Sequence, residues 1–220
     1  MTRKAAVLFS GGKDSCLALY KALQEGLDIR YLLSIIPENP DSFMFHKPYL
    51  GLLARQAEEL GIELIIKSSK GEKEKELRDL EELIKIVKDK VEVIVVGGIA
   101  SDYQGSRIKK ICDKLGLEFH APILGYSPEK VWEELLQEGF KVILTKIACE
   151  GIPKEFLGKV IDKKRYEELK RLSLKYRFRI DFEGGEAESL VIYMPGFKKD
   201  IKVGFTIVST GEYTHHIVLR

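Results

Sequence analysis

The chain has 220 residues, of which 45% are hydrophobic and 32% charged, and its 36 basic and 34 acidic side chains leave a formal net charge of +2. That length fits one large or two small domains with an apolar core, and the balanced charge excludes a disordered chain or one coated in basic charge. No apolar run approaches the roughly 20 residues that span a bilayer, and the run over 5–9 is too short for a signal-peptide core. We therefore expect a globular cytoplasmic protein that does not contact a membrane.

The first half of the chain alternates short β-rich runs with helical stretches. Repeated strand–helix units with fully apolar strands predict a Rossmann-like, doubly wound parallel sheet with helices on both faces. Ligands of such sheets bind beyond the carboxyl ends of the strands, which puts 10–15, 34–46 and 97–104 on one rim. The predicted strands cover 5–9, 29–36, 62–66, 91–96 and 117–119, and the predicted helices cover 13–24, 49–60, 74–88 and 103–115.

The remainder of the chain predicts a different architecture. Its last two strands read as an antiparallel pair joined by Thr210, Gly211 and Glu212. We place a boundary near 122–127, which divides the chain into a nucleotide-binding domain over 1–125 and a smaller, substrate-facing α+β domain over 126–220. The predicted helices of this part cover 128–138 and 163–175, and the predicted strands cover 141–147, 190–194, 201–209 and 213–219.

The run Ser-Gly-Gly-Lys-Asp-Ser over 10–15 is the sharpest chemical feature. Two glycines after a buried strand let the backbone amides turn outward, and the following helix adds free amides and its positive dipole end, so the loop suits a pyrophosphate. Ser10 and Ser15 can donate to phosphate oxygens, Lys13 can offset their charge, and Asp14 can cap the helix and help to hold Mg²⁺. The predicted phosphate-binding residues of this loop are Ser10, Gly11, Gly12, Lys13, Asp14 and Ser15.

The loop has neither the Walker A spacing nor the G-x-G-x-x-G dinucleotide spacing. It resembles the pyrophosphate loop of the N-type ATP pyrophosphatases, or PP-loop enzymes. The resemblance implies a fold of the adenine nucleotide alpha hydrolase type and cleavage of ATP between the α and β phosphates, through an adenylate that a nucleophile resolves with release of AMP. That superfamily includes amide-forming synthetases and enzymes that transfer sulfur or nitrogen to tRNA.

Three further segments resemble the diphthine–ammonia ligase family. They are Met-Phe-His-Lys-Pro over 44–48, Gly-Ile-Ala-Ser-Asp-Tyr-Gln over 98–104 and Glu-Gly-Gly-Glu-Ala-Glu-Ser over 183–189. The resemblance implies ATP-dependent amidation, with ammonia, of the diphthine carboxylate on translation elongation factor 2. The chain departs from the family pattern at Ile123 and Leu124, where Leu-Trp is usual, and at Ala187, where Phe or Tyr is usual.

Three carboxylates in six residues surround the glycines of the last segment, and on a strand Glu186 and Glu188 would share a face. They can act as a general base toward ammonium or as partners of the diphthine trimethylammonium, and the sequence leaves open which one is the base. An acidic turn on a solvated hairpin is the alternative. The predicted catalytic residues are Lys13, Asp14, Glu186 and Glu188, with Asp14 as the Mg²⁺ ligand. The remaining predicted nucleotide contacts are Ser34, His46, Gly98 and Ser101, and the predicted substrate contacts are Tyr103, Gln104, Glu183, Gly184, Gly185 and Glu186.

Several competing interpretations stay open at this point. The stretch 153–180 holds ten Lys and Arg against four Asp and Glu, which favours either a tRNA-modifying enzyme that adenylates a base or a solvated helix face. A non-catalytic nucleotide sensor is a third class, and a homodimer is as compatible with the sequence as a monomer. The scattered Cys16, Cys112 and Cys149 favour buried apolar roles over disulfides, zinc or sulfur transfer. One Asn and four Gln beside abundant Lys and Glu are typical of hyperthermophile proteins.

Overall fold

A computed structural model describes residues 2–37, 49–70, 73–97 and 102–220, except for the side chains of 73–75 and 102–104. The chain divides into two compact units, Met1–Leu124 and Gly125–Arg220. This division falls one residue from the boundary expected between 1–125 and 126–220. Within the described residues no helix is long and apolar enough to cross a bilayer.

The first unit is built on a five-stranded parallel sheet with the order β3-β2-β1-β4-β5. The three inner strands β1, β2 and β4 are largely buried, because α1 packs on them while α3 and α4 pack with each other over the opposite face. The predicted doubly wound parallel sheet is therefore confirmed. Its elements are β1 (Lys4–Leu8), α1 (Lys13–Gln24), β2 (Asp28–Pro37), α2 (Leu50–Leu60), β3 (Glu63–Ser69), α3 (Lys73–Lys85), β4 (Val93–Val96), α4 (Asp102–Leu115) and β5 (Glu118–His120).

The strand order fixes where a ligand can enter this sheet. The chain adds β2 and β3 on one side of β1 and then crosses to add β4 and β5 on the other side. Beyond the carboxyl ends of β1 and β4 the two connecting segments therefore leave in opposite directions and open a crevice. The run over 10–15 follows β1, and Gly97 follows β4, so both lie at this switch point.

The second unit carries a four-stranded antiparallel sheet with the order β7-β6-β9-β8. Trp132 is fully buried, and its indole Nε1 donates to the carbonyl of Ile180 at 2.7 Å, which ties α5 to the segment after α6. The expected strand over 201–209 is wrong at its start, because the Ile201 N–H donates to the Ile192 carbonyl instead of entering the ladder with β9. The elements are α5 (Pro128–Gln137), β6 (Lys141–Ala148), a 3₁₀ turn (Lys154–Phe156), α6 (Lys163–Tyr176), β7 (Ala187–Tyr193), β8 (Phe205–Ser209) and β9 (Thr214–Leu219).

Candidate functional site

The turn between β1 and α1 is shaped by its two glycines. Gly11 has a φ of +76°, in the left-handed region that glycine adopts without steric cost. Gly12 is the N-cap of α1 and has no side chain with which to cap it, so the first amides of the helix are left for other acceptors. The expectation that Asp14 caps this helix is wrong, because Asp14 already lies inside the first turn.

Two hydroxyl groups bind the turn together from within. The Ser10 and Ser15 Oγ atoms are 3.1 Å apart, and the Ser10 N–H donates to Ser15 Oγ at 3.3 Å. Ser15 Oγ lies 3.1 Å from the Gly12 carbonyl, to which it can donate, and the Gly12 N–H points to Ser10 Oγ at 3.4 Å. The run over 10–15 is therefore one compact cluster of hydroxyls and backbone amides, which is the donor set that a phosphate oxygen requires.

The charged side chains of the loop are Lys13 and Asp14. The Lys13 side chain is only 3% exposed, and its Nζ lies 2.7 Å from Asp14 Oδ2. The Asp14 side chain keeps 22% of its surface exposed. A buried ammonium beside a helix N-terminus gives the loop a positive potential that favours an anionic ligand.

Neighbouring elements hold this loop at unusually close range. A Cβ atom added at Gly97 would lie 2.6 Å from Ser15 Cα, so the end of β4 packs directly on the backbone of α1. On the other side, the fully buried Gln56 of α2 donates from Nε2 to the Gly11 carbonyl at 2.9 Å. The loop is thus confined between β4 and α2.

The other predicted nucleotide and substrate contacts of the first unit are Ser34 and a group of residues that the structure describes only in part or not at all. Ser34 is buried in β2, next to Leu33, whose carbonyl accepts from the Phe9 N–H at 2.8 Å. Tyr103 and Gln104 lie in the first turn of α4, and their side chains are outside the described residues. His46, Gly98 and Ser101 lie wholly outside the described residues.

In the second unit, a tight turn precedes β7 and contains the predicted acidic segment. The buried Asp181 accepts three hydrogen bonds in this turn. Arg179 donates to Oδ1 at 2.9 Å and to Oδ2 at 2.5 Å, and the Glu183 N–H donates to Oδ1 at 3.2 Å. Hydrogen bonding and charge from Asp181 raise the pKa of the Arg179 guanidinium above its usual value. Phe182 has a φ of +63° and packs edge-on against Trp132, with ring centroids 6.0 Å apart. A bulky residue in the left-handed region is uncommon, so packing over-determines this turn.

The carboxylates of the acidic segment have different surroundings. Glu186 lies one residue before β7 rather than within it, and its Oε1 accepts from the Arg179 N–H at 3.1 Å. Its Oε2 is buried and has no hydrogen-bond partner among the described residues. Glu188, inside β7, pairs with Lys146 Nζ at 3.1 Å. The structure thus makes Glu186 a partly buried hydrogen-bond acceptor and Glu188 one half of an ion pair, whereas the sequence does not distinguish them. Gly184 and Gly185 are exposed at the tip of the turn.

Sequence reasoning missed Gln56, Arg179 and Asp181. Gln56 left a signal, since it is a polar residue among the buried positions Leu53 and Ala57 of an amphipathic helix. Arg179 and Asp181 left none, because alternating charges before an acidic turn look like a solvated surface.

The three cysteines are free thiols, and burial affects the pKa of each. Burial raises the pKa of Cys112 and of Cys149 to about 11 each, and it also raises the pKa of Cys16, so all three thiols are protonated at neutral pH. Cys112 lies in the first unit and Cys149 in the second. Among the residues that the structure describes, no group of three or more His, Cys, Asp and Glu side chains is arranged to hold a metal ion.

Comparison with known proteins matches both units to one family. The model described as the diphthamide synthase N-terminal domain matches residues 3–119, and the diphthamide synthase C-terminal domain matches 127–217. The curated protein named diphthine–ammonia ligase is 32% identical in Mus musculus, over 91% of this chain and 82% of that protein. The protein of the same name in Homo sapiens is 32% identical, over 97% of this chain and 85% of that protein. A crystal structure described as a predicted subunit of tRNA methyltransferase from Methanocaldococcus jannaschii matches with a TM-score of 0.48 and 17% identity, over 90% of this chain and 100% of that one, which is too distant to bear on function.

Proposed function

This chain belongs to the diphthamide synthase family of carbon–nitrogen ligases, and from that premise we propose that it amidates the diphthine carboxylate of translation elongation factor 2. ATP supplies the energy, ammonia is the nitrogen donor, and AMP and pyrophosphate are released. The observation that carries the proposal is the loop over 10–15, whose hydroxyls, helix amides and buried Lys13 gather at the switch point of the sheet.

The proposed first step is attack of a diphthine carboxylate oxygen on the α phosphorus of ATP. The bond between the α phosphorus and the bridging oxygen breaks, pyrophosphate leaves, and an acyl adenylate remains. Negative charge grows on the departing pyrophosphate, and fixed amide donors together with the Lys13 ammonium stabilise that charge without having to reorganise. Ser10 and Ser15 add hydroxyl donors whose positions are already set by their mutual contact.

A magnesium ion fits this loop in one particular way. In phosphoryl-transfer sites Mg²⁺ is held by one or two carboxylates together with phosphate oxygens, rather than by a cage made of protein alone. Asp14 is a partly exposed carboxylate in the first turn of α1, and the described residues offer no larger cluster of ligands. Asp14 would therefore hold the ion, which when bound neutralises phosphate charge.

The proposed second step is attack of ammonia on the acyl carbon, with AMP as the leaving group. Ammonium must first lose a proton, and a base for that step needs an acceptor oxygen that is not already engaged. Glu186 Oε2 meets that description among the described residues, whereas Glu188 is paired with Lys146. We assign Glu186 as the base and Glu188 as a charged neighbour that supports it.

The proposal is tested by incubating the protein with ATP, ammonium and diphthine-bearing elongation factor 2. AMP and the mass of the modified histidine are both followed, and we expect AMP release together with the mass change for replacement of a hydroxyl by an amino group. Lys13→Ala and Asp14→Ala should abolish both signals, while Lys21→Ala, at the far end of the same helix, serves as the control. AMP release without the mass change would refute diphthine as the substrate. Normal turnover in either loop variant would refute the proposed role of the loop.

The role of Glu186 is tested by separating the two steps. Glu186→Gln keeps the size of the side chain and removes its basicity, so we expect the ammonia-dependent step to slow more than ATP–pyrophosphate exchange. Glu188→Gln should have a smaller effect on the ammonia-dependent step. Equal losses of exchange and amidation in Glu186→Gln would contradict the assignment.

A further inference from the structure

We infer that Gln56 is a positioning residue for the pyrophosphate loop, because it fixes the peptide between Gly11 and Gly12 in the orientation that binds phosphate. The inference rests on the proposed nucleotide site at 10–15. Gln56 lies in α2, 45 residues along the chain from Gly11, and its Nε2 donates to the Gly11 carbonyl at 2.9 Å. The side chain is completely buried.

The contact between α2 and the loop is too close to be incidental. A Cβ atom at Gly11 would lie 2.2 Å from Gln56 Oε1 and 2.9 Å from Leu53 Cδ2, so a larger residue here would displace these two buried side chains of α2. The φ of +76° at Gly11 imposes the same restriction from the backbone. The loop and α2 therefore lie in direct contact at Gly11.

The planarity of the peptide bond links the direction of the Gly11 carbonyl to the direction of the Gly12 N–H. A trans peptide is planar, and its C=O and N–H point in opposite directions. Since the Gly11 oxygen faces Gln56, the Gly12 N–H faces away from α2, toward Ser10 Oγ at 3.4 Å. Gln56 thereby keeps an N–H donor, and not a carbonyl oxygen, on the side of the loop that carries the hydroxyls.

The peptide between Gly11 and Gly12 needs a contact that holds its orientation, because glycine restricts the backbone less than any other residue. A peptide between two glycines meets little steric resistance to rotation, and the contact within the loop that favours the observed orientation is the long one from the Gly12 N–H to Ser10 Oγ at 3.4 Å. In the rotated orientation the Gly11 oxygen would point among the hydroxyls and repel the anion that the loop is proposed to bind. A buried amide that holds the correct orientation before the nucleotide arrives lowers the ordering cost of binding.

The choice of residue supports a role beyond packing. The neighbouring buried positions of α2 include Leu52, Leu53 and Ala57, and an apolar side chain at position 56 would complete that surface. Burying an amide costs free energy unless its polar atoms are bonded. The hydrogen bond from Gln56 Nε2 to the loop offsets part of that cost, and leucine or methionine could not make it.

The experiment compares Gln56→Met and Gln56→Glu with the wild type. Methionine keeps the length and loses the donor, whereas glutamate keeps the shape and presents a carboxylate oxygen to the Gly11 carbonyl. Dissociation constants are measured by calorimetry for ATP, inorganic pyrophosphate and adenosine, and thermal melting reports the fold. Gln24→Met is the matched control, an exposed glutamine at the end of α1 in the same unit.

We expect pyrophosphate and ATP to bind about tenfold or more weakly to Gln56→Met, and more weakly still to Gln56→Glu. The affinity for adenosine, which has no phosphate for the loop to hold, should stay within about twofold of the wild type. Equal weakening of adenosine and pyrophosphate would mean general damage to the domain and would overturn the inference, as would unchanged pyrophosphate affinity in both variants. A wild-type protein that binds neither ATP nor pyrophosphate would instead refute the proposed function, so the two failures are distinguishable.

Discussion

Replacing Gly97 by alanine tests whether the closeness of β4 to α1 sets the position of the pyrophosphate loop. The added methyl carbon would lie 2.6 Å from Ser15 Cα, 2.7 Å from Ser15 N and 2.8 Å from the carbonyl carbon of Asp14. All three are backbone atoms, so no side chain can rotate away to relieve the contact. The loop and the strand must therefore separate.

The size of the effect follows from the required movement. Ordinary van der Waals contact begins at 3.4 Å, so the shortest contact of 2.6 Å is about 0.8 Å too close. Overpacking of this kind typically costs ~1–3 kcal/mol of stability, which a domain with ~5–15 kcal/mol survives. A displacement near 1 Å within a reacting constellation lowers the rate by about a hundredfold. We expect Gly97→Ala to fold, to melt at a lower temperature and to lose about two orders of magnitude in ATP–pyrophosphate exchange.

The assay measures exchange well below the melting temperature of the variant, so that unfolding does not contribute. Gly51→Ala is the matched control: Gly51 is exposed in α2, and a Cβ there meets nothing within 4 Å. That change should leave exchange intact and add ~0.5–1 kcal/mol of stability, because alanine is the better helix residue. If Gly97→Ala exchanges pyrophosphate at the rate of the control, the reasoning that links β4 to loop position is refuted.

Three further predictions address the second unit. Asp181→Asn should weaken the turn that holds Glu186, because the ion pair with Arg179 loses its charge, and should slow amidation by about tenfold while ATP–pyrophosphate exchange stays near normal; parallel loss of both would contradict it. Burial raises the pKa of the Cys149 thiol from its usual 9.0 to about 11, so its alkylation at pH 8, followed by mass spectrometry, should be about a hundredfold slower than in the unfolded chain. The raised pKa of Cys149 also contributes to the stability of the fold. This contribution is fully present below pH 9 and is lost as the pH rises toward 11. The basic stretch 153–180 should show no retention on immobilised tRNA at physiological salt, and salt-dependent retention would instead favour the tRNA-modifying alternative.

Local chemistry made the nucleotide-binding half of the fold predictable. The predicted helix over 13–24 coincides with α1 (Lys13–Gln24), because two glycines precede it and its apolar residues recur at helical spacing. The helix predicted over 49–60 ends where expected, since Gly61 takes the left-handed conformation that terminates helices. Signals of this kind lie within a few residues of the element that they define.

Features that depend on distant contacts could not be predicted in this way. The hydrogen bond from Gln56 to Gly11 joins residues 45 positions apart, and nothing near either one announces the other. The start of β8 was misplaced because Ile201 bonds to Ile192 of β7, a tertiary choice that alternation of residue types does not reveal. The cap assigned to Asp14 is wrong for a local reason, because α1 begins at Lys13 after the N-cap Gly12 and Asp14 lies inside its first turn.

Electrostatics explains why a base for ammonium is not expected within the phosphate loop. The loop must present a positive surface to phosphate, and its own carboxylate, Asp14, is engaged by the Lys13 ammonium at 2.7 Å, so its partner is that cation and not an ammonium substrate. The same argument applies to Glu188, whose carboxylate faces Lys146. Glu186 differs, because one oxygen is oriented by a backbone N–H while the other is buried with no partner among the described residues. Leaving a buried acceptor unsatisfied costs ~1–3 kcal/mol, so we expect Glu186 Oε2 to accept a hydrogen bond from the ammonium that the proposed amidation consumes.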